Sequence, residues 1–347
     1  MKPKQIFISI LTVLFVFPLM RTFAQQAPNS VSISVITTFD YPGTVRSTQP
    51  QKINDGGEIV GVYVDSLGVQ RGFVRFSNGN FSAPIVDPND TKNLTQGRGI
   101  NDSHTVCGDY LGSDNNDHGF FLSRGTFTEY DVRGALATVV LGINNVADFV
   151  GGFSEGNGIF QAFVSLGGTI TSFSVPGASS TFAYQLNRSN QLAGYYVDSS
   201  GIPHGYFRDT NGALHFPTDP PGSTATILFG LNDSNWMVGR YTDSSGVTHG
   251  LFFVPPNEFV TFDYPGSTNT SFNGINAAGF ICGRYRDASG VDHGFLAFVT
   301  GAPRANEADT EMKWHESPPL VTPLNPPSLV KPVNPSPPVS RGEMPAS

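Results

Sequence analysis

The chain has 347 residues, with 39 Gly, 26 Pro and 28 Phe, yet only 14% of it is charged and its formal net charge is −8. So many glycines and aromatics predict short buried strands separated by tight turns. An acidic, charge-poor surface argues against nucleic acid or anionic lipid as the main partner.

Residues 1–24 read as a secretory signal. Lys2 and Lys4 give a basic start, Ile6 to Phe17 is an apolar run too short to span a bilayer comfortably, and Thr22-Phe23-Ala24 offers a small-residue cleavage site. Removing this leader, which also carries Arg21 and no acid, makes the chain three charges more negative. No Cys follows the apolar run, so a lipid anchor is not expected. No later segment is long and apolar enough for a membrane span. The expected location is extracellular, with the periplasm or cell envelope included.

From Ile53 onward one sentence recurs six times. It reads INDGGEIVGVYVDSLGVQRGF at Ile53 and, in its fifth copy, LNDSNWMVGRYTDSSGVTHGLF at Leu231. The copies align on Asn54, Asn101, Asn144, Asn187, Asn232 and Asn276, at spacings of 47, 43, 43, 45 and 44 residues. A period of about 40–45 residues with four strands per unit is the signature of a propeller blade. Strand a runs up to the Ile or Leu before the Asn, and strand b carries the Gly-aromatic pair. Strand c follows the D-x-x-G turn, and strand d carries the F-D-x-P-G ending.

The d strands close the count. Copies one to five are each followed by one, and copy six is not. The missing ending, Phe39-Asp40-Tyr41-Pro42-Gly43, stands instead at the start of the mature chain and repeats Phe262 to Gly266 letter for letter. The expected fold is therefore an all-β six-bladed propeller over residues 31–302, four strands per blade, closed by the N-terminal strand completing the last blade. Such closure removes sheet edges that would invite aggregation. A Pro-rich tail, residues 303–347, holds 11 of the 26 prolines and is expected to be disordered.

Residues present in every copy read as structure, since a catalytic group is needed once and a turn residue once per blade. The Asn closes the a–b turn. The Gly of strand b (Gly61, Gly108, Gly151, Gly194, Gly239, Gly283) is expected to let neighbouring sheets pack. The Thr six residues before each Asn is expected to bond a neighbouring strand or blade. Asp198 with His204, Asp243 with His249 and Asp287 with His293 could in principle form acid–base or metal sites. Because the pair recurs around a ring, and copies one and three lack parts of it, it reads as a fastener across the b–c hairpin. Cys107 and Cys282 occupy one repeat position in non-adjacent copies and are expected to be free, buried thiols. Motifs for serine hydrolases, zinc proteases and phosphate loops are absent. No catalytic residue, cofactor or metal ligand is assigned.

Up-and-down order puts the a–b and c–d turns at one end, and the b–c turns and d–a crossovers at the other. The crossovers vary most, and variable loops on a rigid frame are where binding usually sits. The candidate ligand contacts there are Arg98, Arg133 and Tyr184.

The copies I-N-D/N…V-G-x-Y-x-D-x-x-G-x-x-H-G-F resemble the HAF-type extracellular repeats of secreted bacterial proteins over roughly residues 31–300. The H-x-F triplet stands as His-Gly-Phe at His118 and His293, becomes His-Gly-Tyr at His204 and His-Gly-Leu at His249, and is lost in copies one and three. That family has no assigned biochemical role, so the resemblance implies no activity. The expected function is a monomeric, non-catalytic binding or scaffold module for an extracellular protein or glycan. The rival is a glycan hydrolase or lyase on the axial face, which should place unrepeated carboxylates near the axis.

Overall fold

Among the described residues, short antiparallel strands bounded by Gly, Asn and Asp turns arrange themselves into six blades. The computed structural model describes residues 31–44, 46–302 and 321–322. The leader, and the tail apart from residues 321–322, lie outside the described residues.

The chain opens with β1 (Ser32–Phe39). Blade one follows as β2 (Ser47–Ile53), β3 (Ile59–Val64) and β4 (Gln70–Arg75). Its fourth strand is reduced to isolated bridges, Gly72 with Ile85 and Arg75 with Phe81. Blade two is β5 (Gln96–Ile100), β6 (Val106–Leu111), β7 (Asp117–Ser123) and β8 (Thr126–Tyr130). Blade three is β9 (Ala137–Ile143), β10 (Phe149–Ser154), β11 (Gln161–Leu166) and β12 (Thr169–Phe173), with the short β24 (Val321–Thr322) added to its outer edge. Blade four is β13 (Ser180–Leu186), β14 (Leu192–Val197), β15 (Pro203–Arg208) and β16 (Leu214–His215). Blade five is β17 (Ala225–Leu231), β18 (Met237–Thr242), β19 (Thr248–Val254) and β20 (Glu258–Phe262). Blade six is β21 (Asn269–Ile275), β22 (Phe280–Arg286) and β23 (Asp292–Thr300). Its fourth strand is β1, which pairs antiparallel with β23 from Ser32–Thr300 to Phe39–Gly294. The closure expected from the count of d strands is thus present.

The a strands β2, β5, β9, β13, β17 and β21 stand side by side around the axis. They meet closely because the residue two before the Asn is Gly in four copies. A Cβ at Gly230 would lie 3.2 Å from the Gly274 Cα, and one at Gly274 would lie 2.8 Å from the Lys52 Cα. Copies one and four, which are opposite each other, carry Lys52 and Gln185 at this position instead. The strand-b Gly has a different reason from the one expected. A Cβ on Gly283 would collide with the Ser271 carbonyl of its own blade at 2.4 Å and with the Phe295 ring at 2.6 Å. It makes room within a sheet, not between sheets.

Two hydrogen-bonded belts tie the blades together. Each repeat Thr is buried, and in five copies its Oγ1 accepts the backbone N–H of the preceding d strand's ending: Tyr41, Asp87, Val132, Val175 and Tyr264, at 2.9–3.1 Å. In the remaining copy that ending has Pro220, which has no N–H to give. The six Asn do more than close turns. The Oδ1 of Asn232 accepts the Trp236 N–H at 3.1 Å, while its Nδ2 donates to the Asn276 carbonyl of the next blade at 3.1 Å. The same interblade bond runs from Asn54, Asn101, Asn187 and Asn276, the last closing on Asn54. Asn144 Nδ2 is the one break in the ring, buried without a partner.

Candidate binding site at the propeller axis

The Asp–His pairs hold hairpins, and they do so with a second carboxylate. His249 lies between Asp243 of the b–c turn (3.3 Å) and Asp263 of strand d (2.8 Å), stacked on Tyr241 at 5.0 Å. His204 sits likewise between Asp198 and Asp219, and His118 between Asp114 and Asp131. His293 lies between Asp287 and Asp40, so in the last blade the fastener clamps the N-terminal strand. The turn Asp folds its own loop: Asp243 Oδ1 accepts the N–H groups of Ser245 and Val247, and Gly246 takes the left-handed φ of +85° that the turn requires. Burial pulls the pKa of His118, His249 and His293 down, but the paired carboxylates outweigh it and the net shift is upward. In blade two, Glu129 joins His118 and Asp131, with ligand atoms within 4.8 Å of one another, a geometry that could hold a cation. This trio is an elaboration of the fastener and lies away from the axis.

At the axis the side chains are different in every blade. Each a strand bulges three residues before its Asn, as between Ala183 and Gln185 or between Gly97 and Gly99. A bulge re-aims a side chain, and the bulged residues are Gln51, Arg98, Leu141, Tyr184, Phe229 and Asn273. Strand b adds the residue after its Gly: Val62, Asp109, Gly152, Tyr195, Arg240 and Arg284.

These residues sort into two halves. Blades three to five form an aromatic arc. Phe160 stacks on Phe182 at 4.9 Å, and Phe182 on Tyr195 at 5.1 Å. Tyr184 meets Tyr195 at 5.6 Å and Phe229 at 5.1 Å, and the Arg240 guanidinium lies 5.5 Å over Phe229. All five rings are half-buried, so part of each remains open to solvent. Blades six, one and two are charged. Arg98 Nε donates to Asp109 at 2.8 Å, and Gln96 donates to the same carboxylate at 3.0 Å. Arg284 and Arg286 converge on Asp292 at 2.9 Å each, joined by Gln49 at 3.0 Å. Lys52 reaches across the axis to lie 5.4 Å over the Tyr184 ring, its Nζ 3.5 Å from the Asn273 carbonyl.

The electrostatics follow from this packing. Burial pulls the Lys52 amine down to about 7; Cys282 and Cys107 pull it back up, and Arg98 pushes it further down. Both thiols are free and buried, and burial raises them to about 12, so they are inert apolar packing. Burial would lower the Arg98 pKa, but Asp109 more than offsets it and the net shift is upward. Asp292 is held below its usual range because Arg286 and Arg284 outweigh its burial. Asp117, at the start of β7, is raised by burial and by the neighbouring Asp109 charge.

The axis is blocked at the a–b end. Lys52 and Gln185 fill it from opposite blades, and beyond them Arg188 spans to Asp55 at 3.5 Å over a small cavity of about 60 Å³. The half-buried axial residues are therefore reached from the b–c and d–a end.

Of the three sequence candidates, Arg98 and Tyr184 were expected on crossover loops. They lie instead on strands β5 and β13, where bulges bring them together at the axis. Arg133 is exposed on the crossover between blades two and three and is not brought to them. Asp109, Tyr195, Arg240, Arg284 and Asp292, which a reading centred on the crossover loops leaves out, lie inside strands. The signal was available in the aligned copies, as columns inside strands whose chemistry changes from blade to blade.

No protein-family model matches the chain, and no curated protein does. Among solved structures it is similar to the lectin of Aleuria aurantia in complex with Fucα1-6GlcNAc (12% identity, TM-score 0.45, covering 77% of this chain and 99% of that one). It is similar also to AofleA of Arthrobotrys oligospora (11%, 0.46, 80% and 94%) and to the BP39L lectin of Burkholderia pseudomallei (12%, 0.35, 81% and 99%). The six-bladed assignment rests on this chain's own strand pairing. Among the described residues, no helix is long and apolar enough to cross a membrane.

Proposed function

We propose that the protein is a secreted, non-catalytic binding propeller whose ligand, a glycan, docks in the axial site. The observation that carries this reading is the unrepeated aromatic arc from Phe160 to Phe229 facing an array of guanidinium and carboxylate groups. Aromatic faces accept the apolar face of a sugar ring, and fixed polar groups beside them orient its hydroxyls. The fixed polar groups here are already paired, Asp109 with Arg98 and Asp292 with Arg284, as orienting groups should be. Binding of envelope polysaccharides by the full chain tests this. Tyr184→Ala should weaken binding at least ~10-fold, in line with the loss of one aromatic anchor. Unchanged binding in a folded variant would remove the axial site from consideration.

One observation favours the hydrolase or lyase as a second reading. Burial and the neighbouring Asp109 charge raise Asp117, Asp109 itself is paired with Arg98, and a raised carboxyl beside a second carboxylate is what glycoside cleavage needs. Asp117→Asn decides between the two. Loss of reducing-end release with retained binding would establish catalysis, and no release from wild type on any bound glycan would leave the binding module.

A further inference from the structure

The basic side of the axial site has more cations than it can neutralise. Arg240, Arg284 and Arg286 face one carboxylate, Asp292, and that carboxylate is already engaged by Arg284 and Arg286. Among the described residues no carboxylate lies within 4.0 Å of Arg240. Its guanidinium has the Phe229 ring beneath it and the like charge of Arg284 nearby, and burial followed by that repulsion lowers its pKa. Lys52, almost fully buried on the floor of the site, has a carbonyl and an aromatic ring for company and no carboxylate. Asp109 and Asp117 lie on the other side of the axis, in blade two, where Arg98 answers Asp109.

Holding Lys52 charged in the interior and Arg240 charged while half-buried, with no carboxylate beside either, is costly. Nothing in the fold demands it here, because the Arg240 column holds Val62, Gly152 and Tyr195 in other blades. A ligand anion would supply the missing charge, and two adjacent guanidiniums match the two oxygens of a carboxylate or sulfate. Building on the glycan reading above, we propose that the ligand is an acidic glycan, with a uronate carboxylate or sulfate ester seated against Arg240 and Arg284 and a neighbouring sugar ring on the Phe182–Tyr195–Tyr184 arc. The two chemistries of the anion are the same to the site, and the assay separates them.

Isothermal titration of the full chain with oligouronates, sulfated oligosaccharides and neutral oligosaccharides of equal length tests this. Acidic ligands should bind at least ~10-fold more tightly than neutral ones, with the preference shrinking as salt rises. Arg240→Gln should cut that preference to about twofold or less without lowering the melting temperature, since no ion pair is lost. The better of the uronate and sulfate arms identifies the anion. Equal affinity for neutral ligands, or a preference that survives Arg240→Gln, overturns the proposal. If neutral glycans bind as tightly as acidic ones and Tyr184→Ala weakens them, the acidic assignment fails and the glycan reading stands. If no oligosaccharide binds, both fall.

Discussion

The rim and the axis of this propeller are built by opposite rules. At the rim of blades two, four, five and six the same histidine sits between the same two aspartates, stacked on the same tyrosine. At the axis no two blades present the same pair of groups, although each presents them from the same two positions. In a closed ring, equivalent rim positions point away from one another, so a repeated group there cannot converge on one ligand. Equivalent axial positions converge on a shared space, so they can differ without disturbing the frame. Repetition marks what each blade needs for itself, and its loss at converging positions marks what the whole ring offers to something else.

The sharpest way to break this comparison is to open the ring. Deleting residues 31–43 removes β1 and Asp40 together, leaving β23 unpaired on its outer side and His293 with one carboxylate. It also removes the Tyr41 N–H from Thr48. The expected outcome is loss of the cooperative thermal transition, or a melting temperature lower by more than roughly 10 °C, with aggregates on size exclusion. A monomer that melts unchanged would mean that the frame does not depend on closure.

That dependence was readable in the sequence because it is periodic. Six Asn, six Thr and a displaced FDYPG are enough to order the strands and join the ends. The interblade role of the Asn was not readable, since a turn Asn and a belt Asn look alike until the next blade's carbonyl is seen to lie 3.1 Å away. The axial site was half readable. Arg98 and Tyr184 stood out as departures from the repeat, but a bulge is a matter of register between two strands, and register is what turns their side chains to the axis. Arg240 and Asp292 were hidden inside the most regular stretches of the sentence, where variation looks like noise until the columns are known to face one another.

Lys52 offers the next largest effect. As a base with a folded-state pKa of about 7, well below its ordinary value near 10.5, it takes up fewer protons folded than unfolded between those values. Stability should therefore rise with pH across about 7 to 10.5, with the cost of the buried charge fully present below 7. Lys52→Met should stabilise the protein at pH 6 by on the order of a few kcal/mol and lose that advantage near pH 10. Denaturant titrations at the two pH values would show it. A variant less stable at pH 6 would place Lys52 in the frame and not among groups held for a ligand.

Within the frame, the broken belt provides an internal control. Asn232→Ala removes a buried interblade bond and two turn bonds, for an expected loss of about 1–3 kcal/mol. Asn144→Ala removes the turn bonds alone, because its Nδ2 donates to nothing, and should cost visibly less. Equal losses would show that the belt contributes little and that the Asn serves its own turn, as it would in an isolated hairpin.

The smallest effect tests whether the rim fastener works by charge. His249→Gln installs the residue that copy three carries at this position, Gln161, keeping a donor while removing the titratable ring. The folded pKa of His249 is raised, so its ionic contribution is fully present below the unfolded value near 6.5 and is lost as pH climbs through the folded one. Because Asp263 is largely exposed, screening holds that contribution to about 1 kcal/mol or less. The substitution should lower the melting temperature by about 2–4 °C at pH 5.5 and hardly at all at pH 8.5. A loss of equal size at both would assign the fastening to the stack on Tyr241, and the recurring aspartates would then be explained by the turns they close.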